Sequence, residues 1–414
     1  MFNYEYIPKG GGSNDVYFPL PFLQETTDPF ENNLYPFVFL STDGNILIFT
    51  NNRSILLNPT TNKIVRELPV LDGGSRNHPA SGMAALLPIN LSDPNPKAIL
   101  AEIIICGGAN PRAGKLVEKG IFVTALQDCG RIDITDPKST WQKEMMPTPR
   151  TMGDLLILPT GDILIVNGAK EGIAGWNFAQ DPNLTPLLYR PDNPTTQRFT
   201  ELKATTIPRM YGSTSMVLPD GKILVAGSNT NYYYNFTGVK YPTELRVEKF
   251  YPPYFDPLLI SDRPTITSNY KGKMVKYKGY IVVEFKLKKA EVDQSDLKVT
   301  MYSPPFTTHG FSMGQRLDIG HKEVGKYGIG IFSGGGCGAA IGRDCSSGPM
   351  EMESAYVALI CLQQRVPFIV IRAVSDLAGI GGADSNEADT FLTLASKNSV
   401  TAVLEFVKQL SASK

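Results

Sequence analysis

Leu155-Leu156-Ile157-Leu158-Pro159-Thr160-Gly161-Asp162-Ile163-Leu164-Ile165-Val166-Asn167-Gly168 decides the architecture of this chain. An apolar run, a Pro-Thr-Gly turn and a second apolar run read as a strand, a tight turn and a returning strand. The glycine supplies the positive φ that joins antiparallel strands. The pattern returns at Ser215-Met216-Val217-Leu218-Pro219-Asp220-Gly221-Lys222-Ile223-Leu224-Val225-Ala226-Gly227, and again over Phe39–Phe49 around Asp43-Gly44. Gly161 and Gly221 are 60 residues apart, while Gly44 and Gly161 are 117 apart, close to two such periods. A further member falls at Ala84-Ala85-Leu86-Leu87 and Ile103-Ile104-Ile105-Cys106-Gly107-Gly108, with an insertion in its turn. Paired strands ending in glycine at this period fit propeller blades, about four of them. An arc that does not close leaves sheet faces uncovered and edges unpaired. Residues 2 to 8 read as the tail of another blade, so the first blades are expected to be missing.

Composition agrees with a mainly β body. Charged residues make up 19% of the 414, while glycine (38) and proline (31) are plentiful; few charges with many turn formers favour strands over helical bundles. The length suffices for two or three domains, each with its own core. Forty basic residues balance 40 acidic ones. With no basic stripe and no cationic flank beside an apolar helix, neither a nucleic-acid nor a membrane partner is expected. No apolar run approaches the ~18 residues needed to span a bilayer. The start, Met1-Phe2-Asn3-Tyr4-Glu5-Tyr6, lacks the basic and apolar regions of a signal peptide. As written, the chain is therefore expected in the cytosol. Four Asn-x-Ser/Thr sequons, at Asn52, Asn90, Asn183 and Asn235, instead point to secreted ancestry. The five cysteines (Cys106, Cys129, Cys337, Cys345, Cys361) have no metal-finger spacing. Cys106 and Cys129 either pair across neighbouring strands in an oxidising compartment or remain buried thiols.

Three changes of character follow. Residues 259–319 hold Arg263-Pro264-Thr265-Ile266, Tyr280–Leu287 and Leu297–Tyr302, which alternate as half-exposed strands do. Residues 320–348 carry ten glycines in 29 positions and read as a glycine-rich linker. From residue 349 the pattern is α/β. Glu351–Cys361 is a helix candidate and Pro367–Val374 a buried parallel strand. A final helix is capped by Asn386, has Asp389 near its positive end, and carries Val403, Phe406, Val407 and Leu410 on one face.

Pro208-Arg209-Met210-Tyr211-Gly212-Ser213 and Phe306-Thr307-Thr308-His309-Gly310-Phe311-Ser312-Met313 carry a resemblance. They resemble the axial-ligand strand and the second-histidine strand of the copper-radical oxidases, the galactose oxidase and plant glyoxal (aldehyde) oxidase families. The resemblance implies an incomplete kelch-like β-propeller over residues 1–258, then a truncated immunoglobulin-like (early set) β-sandwich over residues 259–319. It implies copper held by two imidazoles and two tyrosines, one tyrosine cross-linked to a cysteine and holding the radical, with the reaction aldehyde + O2 + water to carboxylic acid + H2O2. Imidazole and phenolate in a tetragonal arrangement suit Cu(II). Carried over, Tyr211 is the axial tyrosine and base, and His309 the second histidine. Gly212 stands where the first histidine belongs. No cysteine precedes Cys106, so the Tyr–Cys radical cofactor is expected to be absent and the oxidase impaired or inactive. The other histidines, His78 in the polar loop Gly74–Pro79 and His321 at the glycine-rich stretch, lack the strand context of a replacement ligand. The plainer alternative has Tyr211 filling a blade interface and His309 as a satisfied polar residue.

Met352-Glu353 and Arg372-Ala373-Val374-Ser375-Asp376 resemble the nucleoside phosphorylase and methylthioadenosine nucleosidase superfamily, which includes plant bark storage proteins. This implies a C-terminal fragment over residues 349–414, a short α/β tail, with Glu353 on ribose hydroxyls and Asp376 as acid to the departing purine. Four readings follow. An oxidase would release H2O2 from glyoxal or methylglyoxal with added copper. A non-catalytic propeller would bind a glycan or a protein regardless of chelators. A nucleosidase tail would free adenine in a manner abolished by Asp376→Asn. A fused or truncated gene product would show at the junction, in transcript reads spanning residues 315 to 355. Oligomeric state is not encoded in any recognisable pattern.

Overall fold

The computed structural model describes residues 2–6, 16–91, 98–267, 283–287, 298–303 and 305–320. The linker beyond Gly320, the tail with Glu353 and Asp376, and His321 lie outside the described residues. A two-stranded sheet, β1 (Asn3–Tyr4) with β2 (Phe18–Pro19), leads into helix α1 (Pro21–Glu25). The first blade is a four-stranded antiparallel meander of β3 (Phe37–Leu40), β4 (Ile46–Thr50), β5 (Arg53–Asn58) and β6 (Lys63–Glu67). The second joins β7 (Gly82–Leu86), β9 (Glu102–Gly107), β10 (Asp128–Asp133) and β11 (Gln142–Met145). Its insertions hold β8 (Ile89–Leu91) and helix α2 (Ala113–Val117). The third joins β12 (Asp154–Ile157), β13 (Ile163–Val166), β16 (Leu187–Tyr189) and β17 (Phe199–Glu201), with a side hairpin of β14 (Ala169–Gly172) and β15 (Ala179–Pro182). The fourth is β18 (Ser213–Val217), β19 (Ile223–Gly227) and β20 (Glu248–Phe250). These four sheets are the kelch-like blades, with the member around Ala84 and Ile103 where the repeat places it.

The repeated turn is one structure used three times. Leu158 N–H donates to Asp162 O (2.8 Å) and Gly161 N–H to Leu158 O (2.9 Å). The same pairs recur at Ser41, Gly44 and Asn45, and at Leu218, Gly221 and Lys222. Gly44, Gly161 and Gly221 have φ of +83°, +93° and +82°. This is a three-residue loop, a type I turn closed by a left-handed glycine, which explains why glycine sits fourth in each pattern.

Both faces of the middle blades are buried, and this converts a period of two into a continuous apolar run. Leu155 and Ile157 of β12 face the second blade, in a cluster with Met83, Ala85 and Ile104. Leu156 and Leu164 face the fourth, against Val217, Ile223 and Val225. The first and second blades share Phe37, Leu47, Phe49, Ala84, Ile103 and Ile105. On the outer face of the first blade Ile48, Ile55 and Leu57 are covered by Leu20 and Phe22 of the α1 segment. Cys106 and Cys129 are cross-strand partners on β9 and β10 and form a disulfide with a Cα–Cα distance of 4.0 Å.

The segment after the fourth blade is docked onto the blades. β21 (Thr265–Ile266) pairs with β22 (Phe285–Lys286). β23 (Val299–Ser303) pairs with β26 (Arg316–Gly320), which runs parallel to β8. Between them, β24 (Phe306–Thr308) and β25 (Phe311–Met313) form a hairpin whose β25 lies parallel to β7, through Phe311 and Ala84. The Gln315 side chain extends this docking: its amide donates to Leu155 O (3.0 Å) and accepts from Ile157 N (3.0 Å).

Candidate functional site

The hairpin tip carries His309. Thr308 pairs with Phe311, so His309 and Gly310 are a two-residue loop, and their φ values of +52° and +77° make it a type I′ turn. Histidine tolerates this left-handed position better than most side chains. The imidazole stacks on Tyr35, ring centres 3.7 Å apart and planes 15° apart, and its Nδ1 lies 2.7 Å from Thr308 Oγ1.

Tyr211 arrives from the fourth blade. Arg209 anchors that segment, donating to Gly227 O (2.6 Å), Arg246 O (2.9 Å) and Glu248 Oε2 (2.8 Å). Ser213 N–H donates to Met210 O (3.0 Å) around Tyr211 and Gly212, and Gly212 has φ +74°. This is a type II turn, which calls for glycine at its third position. A Cβ at Gly212 would lie 3.3 Å from Asn229 N. The position that lacks a donor is therefore also one whose backbone favours having no side chain.

The structure adds His78, which the sequence reading set aside for want of strand context. The loop before β7 is fixed by Arg76, fully buried and bonded to Gly107 O (2.8 Å) and Asp128 Oδ2 (2.9 Å). Leu34 N–H donates to His78 O (3.1 Å) and Asn77 Nδ2 to Tyr35 O (3.1 Å), which ties this loop to the Tyr35 segment. The His78 ring stands edge-on to His309 at 4.9 Å, edge-on to Tyr35 at 5.6 Å, and 6.5 Å from Tyr211. Its Nδ1 is 3.4 Å from Ser81 Oγ. Burial, and then the neighbouring His309, push the His78 pKa down to about 4, while burial lowers that of His309. Both rings are thus held neutral. Burial, and then Tyr35, push the Tyr211 phenol up. Tyr35, His78, Tyr211 and His309 form one cluster, rimmed by Trp176 (6.2 Å from Tyr211) and Tyr232 (4.8 Å from Trp176).

Sequence reasoning missed Tyr35, Trp176 and Tyr232 as well as His78. The one available signal was scarcity, since the chain has three histidines. Among the described residues no cluster of three His, Cys, Asp or Glu side chains is found, so any metal here would need a phenol to complete its donors. Of the sequons, Asn183 is unsuited to carry a glycan in the fold. It is 5% exposed, and its amide donates to Thr148 Oγ1 and Pro149 O.

A kelch-like arc with a docked hairpin that brings an imidazole into the same cluster as a blade-borne tyrosine defines a galactose oxidase-like protein. Residues 1–254 match the family described as glyoxal oxidase N-terminus, and 263–325 that of the galactose oxidase-like early set domain. The chain belongs to the glyoxal oxidase family. It is 52% identical over 316 residues to aldehyde oxidase GLOX1 of Arabidopsis thaliana, covering 76% of this chain and 51% of that protein. The chain spans about half the length of the curated relatives it matches. Residues 346–408 match the phosphorylase superfamily. A 5'-methylthioadenosine/S-adenosylhomocysteine nucleosidase of Lysinibacillus sphaericus is 47% identical over 62 residues, 15% of this chain and 26% of the enzyme. Among solved structures, a fungal alcohol oxidase of the AA5 family in complex with copper is similar at a TM-score of 0.44 and 16% identity, covering 72% of this chain and 69% of that one. No helix among the described residues is long and apolar enough to cross a membrane.

Proposed function

We propose that this chain is a glyoxal oxidase-family protein that binds copper and a small aldehyde at the Tyr211–His309 cluster but is impaired in radical oxidase turnover. The observation that carries the reading is the cluster in which the His78 ring stands 6.5 Å from Tyr211 and 4.9 Å from His309 at the hairpin tip, next to a Gly212 that offers no donor. Imidazole and phenol are a donor set suited to Cu(II). When bound, copper would supply a one-electron couple for the family reaction, aldehyde + O2 + water to carboxylic acid + H2O2. The neutral imidazoles would hold the ion, and the raised phenol of Tyr211 would keep its proton until metal or substrate displaced it. In the copper-radical oxidases that the chain resembles, the radical sits on a tyrosine cross-linked to a cysteine. Cys106 and Cys129 are both consumed in a disulfide, so among the described residues no thiol is available for it. The same disulfide supports an oxidising, extracellular setting.

The test is H2O2 release by the copper-loaded full chain with glyoxal or methylglyoxal. No release above a copper-free control is expected; sustained, saturable, metal-dependent release would overturn the impairment. A second reading, a glycan-binding module, is favoured by the exposed aromatic rim, where Trp176 is 46% and Tyr232 58% exposed. Aromatic faces of this kind suit ligands with one apolar side. It calls for saturable binding indifferent to chelators, and chelator-sensitive binding would count against it.

A further inference from the structure

We propose that His78 supplies the imidazole that position 212 lacks, so that His78, His309 and Tyr211 together hold one Cu(II). The proposal rests on reading the Tyr211–His309 cluster as a copper site, and assigns to it a ligand from a different blade.

Three observations support it. The first is spacing. A metal about 2 Å from each ring nitrogen lies roughly 3 Å from each ring centre, so two imidazoles sharing an ion stand about 4.5–6 Å apart. His78 and His309 are 4.9 Å apart, with planes at 86°. The second is the outer contacts. Each ring has a hydroxyl near its Nδ1, Ser81 for His78 and Thr308 for His309, which leaves Nε2 as the ligating nitrogen. A metal-bound imidazole usually donates its other N–H to a partner of this kind, which fixes tautomer and orientation. The third is immobilisation. His78 follows the buried Arg76, is tied through its carbonyl to Leu34 N–H, and precedes Ala80 and Ser81, both buried. His309 is sandwiched by its hairpin and Tyr35. Two imidazoles held 4.9 Å apart by the fold are a prepared ligand pair.

The test titrates Cu(II) alone into the full chain and counts imidazole nitrogens by electron paramagnetic resonance with pulsed detection of the remote ring nitrogens. One ion per chain and two imidazoles are expected. Because the chain has three histidines, a His321→Ala variant that still shows two imidazoles assigns them to His78 and His309 without disturbing either. His78→Ala should then leave one imidazole and weaken binding at least ~10-fold, and His78→Gln, which keeps a polar contact for Ser81, should do the same if the alanine variant fails to fold. Two imidazoles and unchanged affinity in both His78 variants would overturn the proposal while leaving the copper site standing. Unchanged binding in His309→Ala and in Tyr211→Phe would instead remove the copper reading itself, and the His78 proposal with it.

Discussion

Arg76, Arg150 and Arg209 perform one task in three blades. Each lies just before a blade's first strand and donates to a carbonyl at the end of its second strand or one residue beyond it, at Gly107, Asn167 and Gly227. Arg76 and Arg209 also meet carboxylates, Asp128 and Glu248. Arg150 has carbonyl partners, Asn167 and Thr185, and burial pushes its pKa down to about 9, so it remains a cation at neutral pH. Asn167 passes the interaction on, donating from Nδ2 to Asp154 Oδ2 (2.9 Å), which also accepts from Ser215 Oγ (2.7 Å). Burial pushes the Asp154 pKa up to about 7. A folded-state value above the ordinary one of about 4 means that folding takes up a proton between these limits. The stabilisation is therefore complete below about pH 4, falls as pH rises, and is lost above about pH 7, by on the order of 4 kcal/mol at most. Denaturant unfolding from pH 4 to 8 should show this slope, and Asp154→Asn should flatten it. An unchanged slope in the variant would mean that another group carries it.

Turns and hairpins were the most legible elements, because their chemistry is local. Pro159-Thr160-Gly161 and Pro219-Asp220-Gly221 specify a turn within a few residues, and the flanking apolar runs specify strands that sheets on both sides will bury. Of the candidate cluster, the sequence singled out only Tyr211 and His309, each through its resemblance to a family pattern. His78 depends on a meeting between a loop before the second blade and a hairpin after the fourth, which no local pattern encodes. Gly212 shows the same limit from the other side: in sequence it is a missing ligand, while in the fold it is the residue a type II turn requires. Gly212→His should thus cost about 1–2 kcal/mol in denaturant unfolding, from the left-handed φ and the close Asn229 amide. It should also leave the imidazole count of bound Cu(II) at two. A third imidazole without loss of stability would show that the turn yields to the metal.

At the scale of the whole molecule, stability comes from blade-to-blade burial, and the docked hairpin draws on the same surfaces. Phe311 enters the core shared by the first two blades, against Phe37 and Phe39, and Leu317 enters the core shared by the second and third. The free face of the first blade is closed by the α1 segment, whereas on the fourth Met216 and Leu224 stay only half-buried. Among the described residues the outer face of the first blade is therefore better covered than that of the fourth, a difference the repeat alone could not reveal. Gln315 joins the two parts of the molecule through its side chain. Its amide stands in for a neighbouring strand, taking one donor and one acceptor of β12 in a buried position. Gln315→Ala would leave Ile157 N–H and Leu155 C=O without that partner, and an unpaired buried polar group costs about 1–3 kcal/mol. A loss of roughly 2–4 kcal/mol is expected in equilibrium unfolding. Because Gln315 lies two residues after the hairpin that carries His309, the proposed copper affinity should fall with it, whereas Leu224→Ala, on the half-buried face of the fourth blade, should weaken the fold less and leave copper binding unchanged. Equal effects of the two substitutions on copper affinity would mean that the hairpin is held in place by something other than its bond to the third blade.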